Sequence, residues 1–356
     1  MIFRRFHTLT SNLRFALRTQ KSRLWLKLAR NHALARLGID VPRTLVVAVD
    51  YRCNLTCGHC SARTLDKKDA PPLTLDDYKR IGHEAKELGL FNIQFTGGEP
   101  LLRRDLEEVI QCFHPRENFI MISTHGMFLT RERLASLRKA GVDAFCISLD
   151  SMNSQEHDAF RRKEGVWEKA ITGLRLARQM GFGVAAGCVI THQNVGSQTL
   201  EDIALFTHSI GADMLLNWAC PVGAWEGNRD ARLTDEDHEW LQEFQLRHSN
   251  VRTDFDGNYI KRGCPAGPEF MYLTAQGELL PCAFIPVSYG NVREAPLGEL
   301  RSRILSDPAY GRYPPRCLSA GDDAFYESHI KPTFGLAPLS HSELLLRGQE
   351  KPSAIS

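Results

Sequence analysis

Three cysteines fall within eight residues, as Cys53-x3-Cys57-x2-Cys60 in the stretch Asp50-Tyr51-Arg52-Cys53-Asn54-Leu55-Thr56-Cys57-Gly58-His59-Cys60. At that spacing three thiolates can reach one inorganic centre, and thiolates are ligands for iron–sulfur clusters and for zinc. No fourth cysteine stands beside them. A structural zinc site normally closes with four protein ligands, whereas a cluster held by three leaves one iron open to another molecule. The missing ligand is therefore informative in itself.

A loop that presents thiolates needs a rigid carrier, and the chain from Arg43 onward supplies one. Apolar runs at 45–49, 92–95, 119–122, 144–149, 183–190 and 214–218 read as strands, each followed by a helical period. Thr74 with Asp77 predicts a capping box opening a helix that runs through Leu88, and Gly141, Gly181 and Gly211 stand just past predicted helices. Six β-α units over 45–220 imply a parallel sheet with right-handed crossovers, curled toward a barrel or open and doubly wound. In both forms ligands bind where the strands stop. The three cysteines follow the first strand, on that face. Thr96-Gly97-Gly98-Glu99-Pro100, Ser123-Thr124-His125-Gly126, Ser148 with Asp150, and Thr191 with Asn194 end later strands on the same face. A Gly-Gly pair lets backbone approach a ligand, and Glu99 offers a carboxylate to an ammonium.

This ordered set resembles the radical S-adenosylmethionine enzymes: Cys53-x3-Cys57-x2-Cys60 with His59 as the aromatic-type residue before the third cysteine, then Gly97-Gly98-Glu99-Pro100, then Ser148-Leu149-Asp150. The resemblance implies a partial (β/α)6 TIM-like barrel of the α/β class over 45–220. It implies a [4Fe–4S] cluster on Cys53, Cys57 and Cys60 whose fourth iron binds S-adenosyl-L-methionine. It further implies that Gly97, Gly98 and Glu99 hold the methionine amino group, and that His59, Ser148 and Asp150 contact other parts of the cofactor. The implied chemistry is one-electron cleavage to a 5′-deoxyadenosyl radical that abstracts hydrogen from an unreactive C–H bond. A reductant such as flavodoxin or ferredoxin is then a partner; no nucleic acid is expected.

Composition agrees with an ordinary folded chain: 356 residues, 43% apolar, formal net charge +2. The ten cysteines are clustered and no secretory signal pattern opens the chain, which predicts reduced thiols and a cytoplasmic location. No apolar run is long enough to span a membrane. Residues 1–44 hold ten Lys or Arg against the single acid Asp40. Leu13, Leu17, Leu24 and Leu28 recur there at helical spacing, so this basic segment either lies on an anionic membrane surface or packs on the main domain with its charges in water.

Past Pro221 the alternation stops. Residues 221–330 are read as a small hairpin-containing domain: a helix near 236–244, then a strand at 269–274, a turn at Ala275-Gln276-Gly277, and a strand at 278–280. Cys264-x17-Cys282, with Gly277-x4-Cys282 inside it, resembles the auxiliary-cluster region called SPASM or, when shortened, twitch. The resemblance implies metal ligation by Cys264, Cys282 and Cys317. A full SPASM region carries about seven cysteines, so at most one auxiliary cluster fits. Its fourth ligand is open among Cys220, Asp322, Asp323, His329 or a free iron site, and the alternative is that these three cysteines are buried hydrophobes. Cys112, Cys146 and Cys188 read as core. His125 and His192 are candidate acid–base groups at the mouth, Arg161 a candidate carboxylate ligand, and Trp218, Trp225 and Tyr259 candidate borders of a substrate space. The tail, 331–356, has no clear periodicity.

The function expected is C–H activation of a small molecule, lipid or cofactor precursor. A SPASM-type ribosomal peptide maturase is the alternative, and a non-catalytic iron–sulfur electron carrier is the rival from another class.

Overall fold

The computed structural model describes residues 21–260, 263–336 and 338–349. Strand β1 (Thr44–Asp50) is buried along its whole length except Asp50. That is the pattern of a central parallel strand, covered on both faces and hence apolar without alternation. After it come β2 (Asn92–Gly97), β3 (Phe119–Thr124), β4 (Ala144–Ser148), β5 (Gly183–Ile190) and β6 (Asp213–Trp218), each pairing in parallel with the strand before it. The predicted units are therefore present in chain order, and the fold is the partial β/α barrel expected.

Helices between the strands close the outside of the sheet. Their buried faces contribute Ile81, Val109, Leu137, Leu174 and Ile203 to one continuous core with Phe95, Ile122, Phe145 and Ile147. Each such side chain contributes about 1.5–3 kcal/mol by leaving water. The Thr74–Asp77 capping box forms as read and opens the helix Leu75–Glu87. Gly141 takes the left-handed cap position, φ 95°, after Arg131–Ala140.

Three regions differ from the sequence reading. The alternation continues past Pro221, since helix Asp235–Arg247 leads into β7 (Val251–Thr253), parallel to β6. Three residues are too few to show a period. The hairpin of β8 (Phe270–Leu273) and β9 (Leu279–Leu280) forms, but β8 also pairs in parallel with β1, giving a single sheet ordered β7-β6-β5-β4-β3-β2-β1-β8-β9. In the tail, β11 (Leu339–Ser340) pairs with β10 (Val287–Ser288) and leads into helix His341–Gln349. Ser340 and Glu343 cap that helix reciprocally, a serine-x-x-glutamate signal present in the sequence.

Helix Ser22–Arg36 packs against the end of the sheet where strands begin. Lys21 bonds the carbonyls of Asn118 and Gly141 and pairs with Asp143; Lys27 bonds the Leu90 carbonyl and the Asn118 side chain. Asn31 bonds the Gly89 carbonyl and the Tyr259 hydroxyl. This is the domain-packed alternative for the described part of the basic segment; Leu13 and Leu17 lie outside the described residues. Tyr259, expected at the substrate space, instead anchors this helix on the far side. Among the described residues no helix is long and apolar enough to cross a membrane.

Candidate active site

The cysteine loop begins where β1 ends. Asp50 accepts from the Arg52 amide at 2.8 Å and from its Nε at 2.7 Å, which turns the chain out of the strand. Cys57 is buried, Cys60 half-buried and Cys53 exposed, and none of the three is in a disulfide. The Leu55 amide points at Cys53 Sγ, 3.4 Å away. Cys53 lies within electrostatic range of Cys57, Cys60 and Glu99, and, although the residue as a whole is exposed, partial desolvation of its thiol pushes it up to about 11.

Gly97 and Gly98 bring the end of β2 against this loop. The Gly98 amide donates to the Asp50 carbonyl at 2.8 Å and the Glu99 amide to the Arg52 carbonyl at 2.9 Å. A Cβ on Gly98 would stand 2.4 Å from the Arg52 carbonyl oxygen, and one on Gly97, at φ 135°, 1.9 Å from that of Asp50. The glycine pair is thus required by contact between two loops of the protein, a reason the motif alone does not reveal.

Glu99 is fully buried. Its carboxylate accepts from the Thr124 hydroxyl at 2.7 Å and from the amides of His125 at 3.0 Å and Leu101 at 3.1 Å. Burial outweighs these bonds and pushes the carboxyl up to about 7. His125 Nδ1 accepts from the Met127 amide, which leaves Nε2 to donate toward Asn54 Oδ1 at 2.8 Å and Glu99 Oε2 at 3.0 Å. Burial lowers His125 to about 4, so it is a neutral donor near pH 7. Asn54, on the cysteine loop, was not singled out from sequence; only its place between Cys53 and Leu55 marked it.

At the end of β4, Ser148 is half-buried and Asp150 buried. Asp150 accepts from Arg161 Nε at 2.7 Å and from the Val189 amide at 3.2 Å. Burial alone would raise its carboxyl, but the Arg161 guanidinium together with His59 and His157 outweighs it and holds Asp150 below the usual range. Arg161 also interacts electrostatically with Cys57. Arg161, expected to bind a carboxylate of the cofactor or substrate, is instead paired with the protein's own Asp150. His59 stacks on Phe160 at 4.3 Å and tilts against Trp225 at 5.7 Å. His192 sits apart, half-exposed, with Nδ1 2.8 Å from Asp237 Oδ2.

A profile of the radical SAM superfamily matches residues 49–207. The chain is 26% identical over 304 residues to an AdoMet-dependent heme synthase of Methanosarcina barkeri, covering 76% of this chain and 86% of that protein. It is 27% identical over 292 residues to a PqqA peptide cyclase of Granulibacter bethesdensis, covering 77% of each. In fold it is similar to SuiB of Streptococcus suis solved with its precursor peptide SuiA, at TM-score 0.60 and 19% identity, covering 80% of this chain and 70% of that one. It is also similar to anSMEcpe solved with AdoMet, at TM-score 0.57 and 18% identity, covering 73% and 80%.

Proposed function

Since the chain belongs to the radical SAM superfamily, we propose that it is an enzyme that cleaves S-adenosyl-L-methionine reductively and turns the radical on a C–H bond of a small biosynthetic molecule. The observation that carries this reading is the junction of the cysteine loop with Gly97, Gly98 and Glu99. It puts three cysteine thiols and a buried carboxyl in electrostatic reach of one another at the mouth of the barrel.

The donor set fits an iron–sulfur cluster: soft thiolates, one of them exposed, on a loop fixed at both ends. When bound at Cys53, Cys57 and Cys60, a [4Fe–4S] cluster supplies the electron that splits the sulfonium into methionine and a 5′-deoxyadenosyl radical. Among the described residues Glu99 has no cationic partner that stays charged at pH 7, and the ammonium of S-adenosylmethionine is the counter-charge that would draw its raised carboxyl back to the ionised form. Thr124 and the His125 and Leu101 amides fix its oxygens. His59, Phe160 and Trp225 form an aromatic wall suited to a purine. Asp150, committed to Arg161, acts by holding the loop, while Ser148 is left for a polar contact with the cofactor. The electron itself comes from an external carrier such as flavodoxin or ferredoxin.

The heme synthase relatives, aligned over most of their length, support a small biosynthetic substrate. The peptide cyclase supports the second reading, a ribosomal peptide. The test is anaerobic: iron- and sulfide-loaded protein given dithionite and S-adenosylmethionine should release 5′-deoxyadenosine. Absence of that product from cluster-loaded protein would overturn the enzyme reading in favour of an electron carrier. Mass spectrometry of a metabolite extract and of a candidate-peptide mixture, each incubated with the active protein, then separates the two substrate classes.

A further inference from the structure

Four cysteines that the mouth does not use come together behind β6. Cys220 follows that strand, Cys264 precedes β8, Cys282 follows β9 and Cys317 precedes the short helix Leu318–Gly321. Cys220 Sγ lies 3.9 Å from Cys317 Sγ across 97 residues of sequence. Cys317 also interacts electrostatically with Cys264, and Cys282 with the other three. All four are free thiols, three buried and Cys282 half-buried. The backbone holds them there: the Cys264 amide donates to the Pro314 carbonyl at 2.8 Å, and Gly263 approaches that carbonyl so closely that a Cβ would stand 2.3 Å from it.

We propose that Cys220, contributed by the barrel, is the fourth thiolate of a single auxiliary iron–sulfur cluster with Cys264, Cys282 and Cys317. The other candidates for the fourth place are engaged elsewhere. Asp323 is an exposed partner of Arg229 and Arg232, Asp322 caps the Phe325 amide, and His329 is paired with Asp307 and Ser328. Four thiolates on a single tetrahedral zinc ion, with bonds of about 2.3 Å, would stand roughly 3.8 Å from one another, close to the 3.9 Å between Cys220 and Cys317, so one zinc ion is the competing occupant and metal analysis is the measurement that separates it from a cluster. A cluster here would staple β6 to the segments beyond it.

The site is tested apart from the mouth, in full-length protein carrying Cys53→Ala, Cys57→Ala and Cys60→Ala. After anaerobic loading this variant should keep about four iron and four sulfide per chain, with a cluster signal in Mössbauer spectra. Adding Cys220→Ser should lower iron and change that spectrum. Cys146→Ser, a buried cysteine outside the group, should leave both unchanged, and circular dichroism verifies folding of each variant. The Asp254 carboxyl, within electrostatic range of Cys282 and Cys317, is the competitor. The proposal is overturned by zinc in place of iron, by no bound iron in the triple variant, or by a spectrum insensitive to Cys220→Ser but lost with Asp254→Asn. Deoxyadenosine release by the unmutated protein reports on the mouth independently.

Discussion

Cys53, Cys57 and Cys60 come from one loop of eight residues, whereas Cys220, Cys264, Cys282 and Cys317 are gathered from four segments that only the folded chain brings together. The first set has an exposed sulfur, and the second has none. An open, local set suits a centre that must exchange a small molecule at every turnover. A buried, non-local set suits a centre that is assembled once and then kept from water. The two are joined. The Ala224 amide, four residues after Cys220, donates to the Cys60 carbonyl at 3.0 Å, and the Tyr272 hydroxyl interacts electrostatically with both Cys60 and Cys282.

The sharpest way to break the comparison is Cys57→Ala. We expect 5′-deoxyadenosine release to fall by at least about 100-fold and iron to drop from about eight to about four per chain, the remainder staying at the buried set. Loss of all iron would show that the two sets are one assembly unit. Next is Asp150→Asn, which leaves the Arg161 guanidinium buried without its carboxylate partner. Unfolding by urea should show a loss of about 3–5 kcal/mol, and a change below about 1 kcal/mol would mean Arg161 finds Cys57 an adequate partner. Gly98→Ala should cost about 1–3 kcal/mol through the clash with the Arg52 carbonyl. It should also weaken iron retention at the mouth while sparing the buried set, which iron assays of each variant separate.

The smallest effect expected is on pH dependence. In cofactor-free protein Glu99 titrates at about 7 against 4.5 when exposed. The folded state therefore holds the extra proton between those values, and this group's contribution falls as pH rises through them. His125 has the opposite sign: lowered to about 4 from 6.5, it makes stability rise with pH across that window. The two offset each other in the unmutated chain. In Glu99→Gln only the histidine arm remains, so Tm should climb from pH 4 to 6.5 and then level off. An unchanged Tm profile would show that Glu99 does not titrate in this range.

Much of the site was legible because it is local. Three cysteines within eight residues and a glycine pair before a carboxylate stand out through type and spacing, and period-2 against period-3.6 patterning placed them at the same ends of successive strands. The capping box at Thr74 was readable for the same reason. Asn54, Phe160 and the Asp150–Arg161 pair were less so, since a contact across the mouth depends on how strands are staggered. Tyr259 was misplaced because an aromatic in a loop carries no mark of which end of the sheet it faces.

By itself, then, the sequence determined the three-cysteine loop, the β-α order and the motifs that carry the family resemblance, because each rests on residues a few positions apart. Only the tertiary structure decided that β8 joins β1, that the glycine pair is packed against the cysteine loop, and that Cys220 stands beside Cys317. Those are meetings of segments tens of residues apart, fixed by strand pairing and core packing, which leave no periodic trace in the chain.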